Sequence, residues 1–240
     1  MSEANSSNVP AEPGLRLCKK QKNEKQIYTV ANVPYSEAVG SLLFAARVCR
    51  PDIEYAVNYA SQFLDSYGQE HWQAVKRIIR YLIGTRDLGI IFGNSGNSFE
   101  VKNFTDADYA GCVESRKSQS GFVFLLNGGP VSWSSQRQSV VALSTTEAEY
   151  IALAHGIKEA IWLRRILNDL NIKCESVPIS IDNQSAIKLA NNSKYHKRSK
   201  HIDIRFHFIR DVVSEREIEI KYVMSKKQLA DLFTKPLPKQ

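Results

Sequence analysis

The feature that most constrains the fold is a change of hydrophobic rhythm near residue 98. From Tyr35 to Gly93, apolar residues recur at helical spacing; beyond Ser98 they alternate, and then the two periods succeed each other in a fixed order. Upstream, Ser36 can cap a helix carrying Val39, Leu42, Leu43 and Ala46, and Pro51 suits the first turn of the next. Ile53, Ala56, Val57, Ala60, Phe63 and Leu64 form that second stripe. A third helix over 70–83 sets Trp72, Val75, Ile78, Ile79 and Leu82 on one side. Its Lys76, Arg77 and Arg80 read either as a solvated face or as phosphate contacts.

Downstream, a strand over 99–104 runs into Thr105-Asp106-Ala107-Asp108. Strands over 121–126 and 131–135 are joined by Asn127-Gly128-Gly129-Pro130, a hairpin signal. A helix over 145–170 opens with Ser144-Thr145-Thr146-Glu147, a capping box. Then come a strand over 177–181, helices over 184–190 and 203–213, a strand over 218–223 and a helical turn over 228–233. This order predicts an α/β fold: one mixed five-stranded sheet flanked by helices, preceded by a small helical unit. Three stretches follow: a flexible polar tail (1–34), the helical unit (35–97) and the α/β domain (98–240). The tail is expected to be flexible because it offers little apolar surface to offset the entropy of ordering. Trp162, Leu163 and Ile166 are expected in the domain's core or at its packing seam.

Charge narrows the partners. Lys and Arg number 32 against 25 Asp and Glu, a formal +7, and most of the excess lies beyond residue 97. Such a balance suits an anionic partner, nucleic acid first. No apolar run approaches the roughly 18 residues of a membrane span, and the start lacks a secretory pattern, so no membrane is expected. Cys18, Cys49, Cys112 and Cys174 stand far apart with no CxxC pair, which argues against zinc modules and a disulfide scaffold. An intracellular compartment, cytoplasmic with the nucleus second, fits that usage.

The acids carry the chemistry. Asp106 ends the first strand and Asp182 the fourth, and the carboxyl ends of strands are where open α/β sheets bind ligands. Each Asp alone reads first as a turn cap. If their strands are parallel neighbours, the two carboxylates lie side by side, which is costly without a cation or a shared proton. Glu149 precedes Leu153, Ile157 and Ile161 on the stripe that must face the sheet. Glu147 is rotated about 200° away and serves the helix cap. Asp231, in the last turn, can supply a fourth carboxylate. Hard oxygen donors without paired His or Cys suit Mg²⁺ or Mn²⁺. Two such ions about 4 Å apart would serve both the attacking and the leaving oxygen of a phosphodiester displacement.

Six ordered blocks carry a resemblance. They begin with Thr105-Asp106-Ala107-Asp108-Tyr109-Ala110-Gly111, then Arg116-Lys117-Ser118. They continue with Ala142-Leu143-Ser144-Thr145-Thr146-Glu147-Ala148-Glu149-Tyr150 and Asp182-Asn183-Gln184-Ser185-Ala186. Lys200-His201-Ile202-Asp203 and the run from Gln228 through Asp231 and Thr234 to Pro238 complete them. Together they resemble the ribonuclease H domain of copia-type retrotransposon Pol polyproteins. Residues 35–93, with Arg50-Pro51-Asp52, resemble the end of the preceding reverse transcriptase, its thumb and connection. The resemblance implies a ribonuclease H-like fold and hydrolysis of the RNA strand of RNA–DNA hybrids. It implies Asp106, Glu149, Asp182 and Asp231 as catalytic and metal-holding residues, with two Mg²⁺ (or Mn²⁺) ions as cofactor and no small-molecule cofactor. Asp108 is expected beyond the strand. Asn183, Gln184, Lys197, Arg198 and Lys200 are candidate nucleic-acid contacts, the basic ones reading equally as a solvated face. Partners implied are an RNA–DNA hybrid and the rest of a Pol polyprotein. The polymerase's Tyr-x-Asp-Asp motif is absent, so no DNA synthesis is expected, and residues 223–228 carry no His. Two other readings stand beside this one. The first is an inactive nucleic-acid-binding transposon remnant. The second is an integrase or transposase, which would usually add a zinc or helix-turn-helix module.

Overall fold

A computed structural model of the chain describes residues 4–19, 33–93, 99–191 and 200–238. Contacts divide it into two units, Met1–Ile90 with Lys235–Gln240, and Ile91–Thr234. The division falls a few residues before the expected 97/98 boundary. The reason is local: Gly93 N–H donates to Asn127 O at 3.1 Å and Phe92 lies against Gly129, which ties 91–93 to the hairpin.

The first unit holds α1 (Tyr35–Val48), a 3₁₀ turn (Pro51–Ile53), α2 (Glu54–Ser61) and α3 (Gln69–Gly84). Tyr35, Val39, Ile53, Val57, Val75 and Ile78 meet in its core, as the helical stripes predict. Arg50 holds Asp52 through two hydrogen bonds of 2.9 and 2.7 Å, and Tyr81 donates to the same carboxylate. Residues 4–19, part of the segment expected to be a flexible tail, are held on these helices instead. Leu17 is buried and its N–H donates to Tyr59 Oη at 2.9 Å. Ser7 N–H donates to Arg80 O, and Glu12 pairs with Arg77 at 2.7 Å, so Arg77 does not face open solvent alone. One apolar anchor and a few backbone bonds are enough to order a polar segment that composition alone assigns to solvent.

The second unit is the expected mixed five-stranded sheet flanked by helices. It contains β1 (Val101–Asp108), β2 (Gln119–Leu126), β3 (Gly129–Arg137), α4 (Thr145–Asp169), β4 (Val177–Ile181), α5 (Gln184–Asn191), α6 (Lys200–Ser214) and β5 (Ile218–Tyr222). Two 3₁₀ turns, Ser225–Lys227 and Leu229–Phe233, follow. The strand order is β3-β2-β1-β4-β5. β1 pairs antiparallel with β2 and parallel with β4, and β4 pairs parallel with β5. Asn127 and Gly128 take φ of 49° and 84°, the left-handed pair that closes a two-residue hairpin between β2 and β3.

Alternation along β1 splits its side chains between two layers. Ala107 packs with Ala148 and Ile151 of α4, while Phe104 packs with Ala230 and Phe233 of the last turn. The main core lies on the helical side. Leu153, Ile157, Leu163 and Leu167 of α4 meet Val177, Ile179 and Ile181, with Ala186 and Ile209 from the flanking helices. Trp162 is a correction: it is 54% exposed, because it stands one residue, about 100°, off the buried Leu163 stripe. Ile166 is half-buried. Among the described residues, no helix is long and apolar enough to cross a membrane.

Candidate active site

The register of the parallel pair places the first two acids. Phe104 of β1 stands beside Ser180 of β4, so two residues further on Asp106, still within β1, and Asp182, just past β4, come side by side. Asp106 is buried within β1, opposite Gly121 of β2. Asp182 is half-buried just past the end of β4. Glu149 comes from the start of α4 and is 6% exposed. One carboxylate oxygen from each of the three lies within 4.8 Å of the others. The three acids thus converge as predicted, with one correction: Asp106 does not end its strand, since β1 stays paired with β2 for two residues beyond it.

This arrangement strains the charges. Burial first, then the neighbouring Asp106 and Asp182 carboxylates, push the Glu149 carboxyl up to about 9; a hydrogen bond from the Ala107 N–H works against them. Glu149 Oε2 is buried and accepts no hydrogen bond among the described residues. Three converging carboxylates, one of them with an unused buried oxygen, form a group able to bind a metal ion.

The remaining candidates are placed differently. Asp231 sits half-buried on the Leu229–Phe233 turn and is not part of the cluster of three. Asp108 is a correction: it is the last residue of β1, because the ladder continues to its partner Gln119. Its carboxylate lies against Gly111 and outside the cluster. Glu147 caps α4 as expected: its N–H donates to Ser144 Oγ at 3.2 Å. Its carboxylate accepts from the N–H of Leu143 at 3.0 Å, one residue before the cap. Asn183 Oδ1 accepts the Ala186 N–H at 3.0 Å and so caps α5, whose first residue, Gln184, is exposed. Lys197 and Arg198 lie outside the described residues; Lys200 begins α6, and its side chain lies outside them too.

Sequence reasoning missed Thr234, Gln228 and Gly121. Thr234 is fully buried and its hydroxyl donates to Asp106 Oδ2 at 2.5 Å. Gln228 Nε2 donates to Thr105 O at 2.9 Å. Gly121 leaves room for the last turn, since a Cβ there would meet Phe233 Cβ at 2.7 Å and Ala230 O at 3.1 Å. A glycine inside a strand was the available signal, because it marks close approach of another segment.

No protein-family model matches the chain. It is 44% identical over 241 residues to the retrovirus-related Pol polyprotein from transposon TNT 1-94 of Nicotiana tabacum, covering all of this chain and 18% of that one. It is 43% identical over 204 residues to the Pol polyprotein from transposon RE1 of Arabidopsis thaliana, covering 85% of this chain and 14% of that one. A 132-residue stretch, 55% of the chain, is 49% identical to secreted RxLR effector protein 161 of Plasmopara viticola and covers 92% of it. Among solved structures, LC11-RNase H1 in complex with an RNA/DNA hybrid aligns at 16% identity and TM-score 0.42, over 56% of this chain and 94% of that one. The foamy viral protease-reverse transcriptase in complex with an RNA/DNA hybrid aligns at 15% identity and TM-score 0.49, over 91% of this chain and 28% of that one. The chain therefore spans less than a fifth of the Pol polyproteins it matches. With this identity along its length, the chain is homologous to a segment of the retrovirus-related Pol polyproteins of copia-type transposons.

Proposed function

We propose that the α/β unit is a metal-dependent endonuclease that hydrolyses the RNA strand of RNA–DNA hybrids. The observation that carries this reading is the convergence of Asp106, Glu149 and Asp182 in a partly buried site. The donor set fits Mg²⁺ or Mn²⁺: all ligand atoms are carboxylate oxygens, and the orphaned Glu149 Oε2 is available. Asp106, Glu149 and Asp182 would hold the metal, with Asp231 contributing from the edge. When bound, a pair of such ions supplies positive charge to the attacking and departing oxygens of an in-line displacement at phosphorus.

The chain's own groups do the rest. Asp106 and Asp182, fixed by adjacent parallel strands, set the spacing of the donor oxygens. Glu149 holds a proton at its carboxyl at neutral pH and must release it to become a donor, so occupancy rises with pH. The +7 charge favours the hybrid's phosphates, and binding weakens as salt rises. Contact with 2′-hydroxyls selects the RNA strand.

The helical unit, in this reading, is the end of a reverse transcriptase and docks with the remainder of a Pol polyprotein. Four free cysteines support an intracellular, cytoplasmic placement. The test is cleavage of a labelled RNA–DNA hybrid with Mg²⁺ and with EDTA, against single-stranded RNA and duplex DNA. Cleavage confined to the hybrid and to Mg²⁺ supports the reading. Salt-sensitive hybrid binding without cleavage in Mg²⁺ or Mn²⁺ replaces it with the inactive binding remnant.

A further inference from the structure

The geometry points to Thr234 as a positioning residue that orients Asp106 for metal binding; this rests on the metal-site reading above. Thr234 is fully buried, and its hydroxyl is 2.5 Å from Asp106 Oδ2. The hydroxyl has one proton and two acceptors in reach, Asp106 Oδ2 and the Asp231 carbonyl at 3.3 Å. The shorter bond, to a carboxylate, takes it, since charge-assisted O–H···O⁻ bonds are the stronger class.

The rotamer is set by packing. Thr234 Cγ2 lies over Gly121, where an added Cβ would meet it at 2.9 Å, and Gly121 is the residue directly opposite Asp106 across the β1–β2 ladder. A β-branched side chain has little χ1 freedom, so with the methyl seated there the hydroxyl faces Asp106. The turn that carries Thr234 is itself braced. Ser135 Oγ donates to Phe233 O at 2.6 Å, and Gln228 Nε2 donates to Thr105 O at 2.9 Å. Gln228 Oε1 accepts the Ala230 N–H at 3.2 Å, and the Thr234 N–H donates to Asp231 O at 3.2 Å. Held by Thr234 through Oδ2, the Asp106 carboxylate keeps a fixed orientation toward Glu149 and Asp182. The last turn therefore contributes to the site through Thr234 even though Asp231 lies outside the cluster of three.

The test compares wild type with Thr234→Val, which keeps the shape and removes the donor, and Thr234→Ser, which restores it. Thr234→Ala is the second donor-less variant in case valine prevents folding. Each full chain is titrated with Mn²⁺ by calorimetry, and the Mg²⁺ concentration giving half-maximal hybrid cleavage is measured separately. Loss of a group that orients a metal ligand lowers affinity about tenfold or more. Valine or alanine should weaken Mn²⁺ binding by about that factor, with the KM for hybrid unchanged, and serine should recover it to within about threefold. If wild type binds Mn²⁺ and the folded valine or alanine variant binds it equally well, the positioning role is overturned while the metal site stands. If serine fails to restore binding, the hydroxyl is not the operative group and the proposal is likewise overturned. If wild type binds no Mn²⁺, the metal-site reading itself is overturned, and this inference with it.

Discussion

Replacing Glu149 by Gln should stabilise the folded protein while removing its activity. The carboxyl is 6% exposed and its pKa stands at about 9 against an ordinary 4.5. A raised pKa has a definite sign. Below pH 4.5 both folded and unfolded chains hold the proton and folding incurs no ionisation penalty. Between 4.5 and 9 the unfolded chain releases it and the folded chain does not, so stability falls by about 1.36 kcal/mol per pH unit. At pH 7.5 the accumulated cost is about 4 kcal/mol, a ceiling, since local hydration relieves part of it. Gln cannot ionise, and its amide oxygen can still accept the Ala107 N–H that now serves the carboxyl.

The variant should therefore exceed wild type by about 2–4 kcal/mol at pH 7.5 in EDTA, with the difference vanishing toward pH 4.5. Urea unfolding between pH 4.5 and 9 measures it. Fluorescence of Trp133 and Trp162, in a shared Trp72→Phe background, confines the signal to the α/β unit. Mg²⁺ should then raise wild-type stability more than that of the variant, since binding to the folded state alone stabilises it. A Gln variant no more stable than wild type at pH 7.5 would refute the reasoning, and so would a gain that does not change with pH.

Asp106→Asn should abolish hybrid cleavage in Mg²⁺ while circular dichroism stays native and salt-sensitive hybrid binding remains measurable; retained turnover removes Asp106 from the mechanism. Glu147→Gln should cost about 1 kcal/mol or less in urea unfolding and leave cleavage intact, because its role is to cap α4. Gly121→Ala should destabilise the α/β unit by about 1–3 kcal/mol, since a methyl there collides with the last turn. The same change should weaken Mn²⁺ binding in calorimetry, and unaltered binding would show that the seat of the turn does not govern the site. Calorimetry in buffers of different ionisation enthalpy should show that Mn²⁺ binding at pH 7.5 releases about one proton, the one held by Glu149.

What was legible in the sequence is what local periodicity encodes. Alternation located β1 and β4, which placed Asp182 just past its strand and Asp106 on β1 though two residues short of its end, and spacing of four on α4 singled out Glu149 over Glu147. The succession of five strands and their helices emerged because each element announces its own period. What stayed hidden depends on contacts between distant segments. Thr234 meets Asp106 across 128 residues, and no local pattern pairs them. The link is visible only once β1 is known to show Phe104 and Asp106 to one layer and Ala107 to the other. Asp108 was misplaced because a strand ends where its partner stops pairing, and that partner, Gln119, lies across a loop. Trp162 was misplaced for the opposite reason: apolar character was taken as burial, where the helical phase at Leu163 already turned it outward. The acids that bear charge are written into local spacing, whereas the neutral groups that orient them, Thr234 and Gly121, are fixed by how the last turn closes over the sheet. A functional reading from sequence therefore recovers the donors of such a site before it recovers their supports.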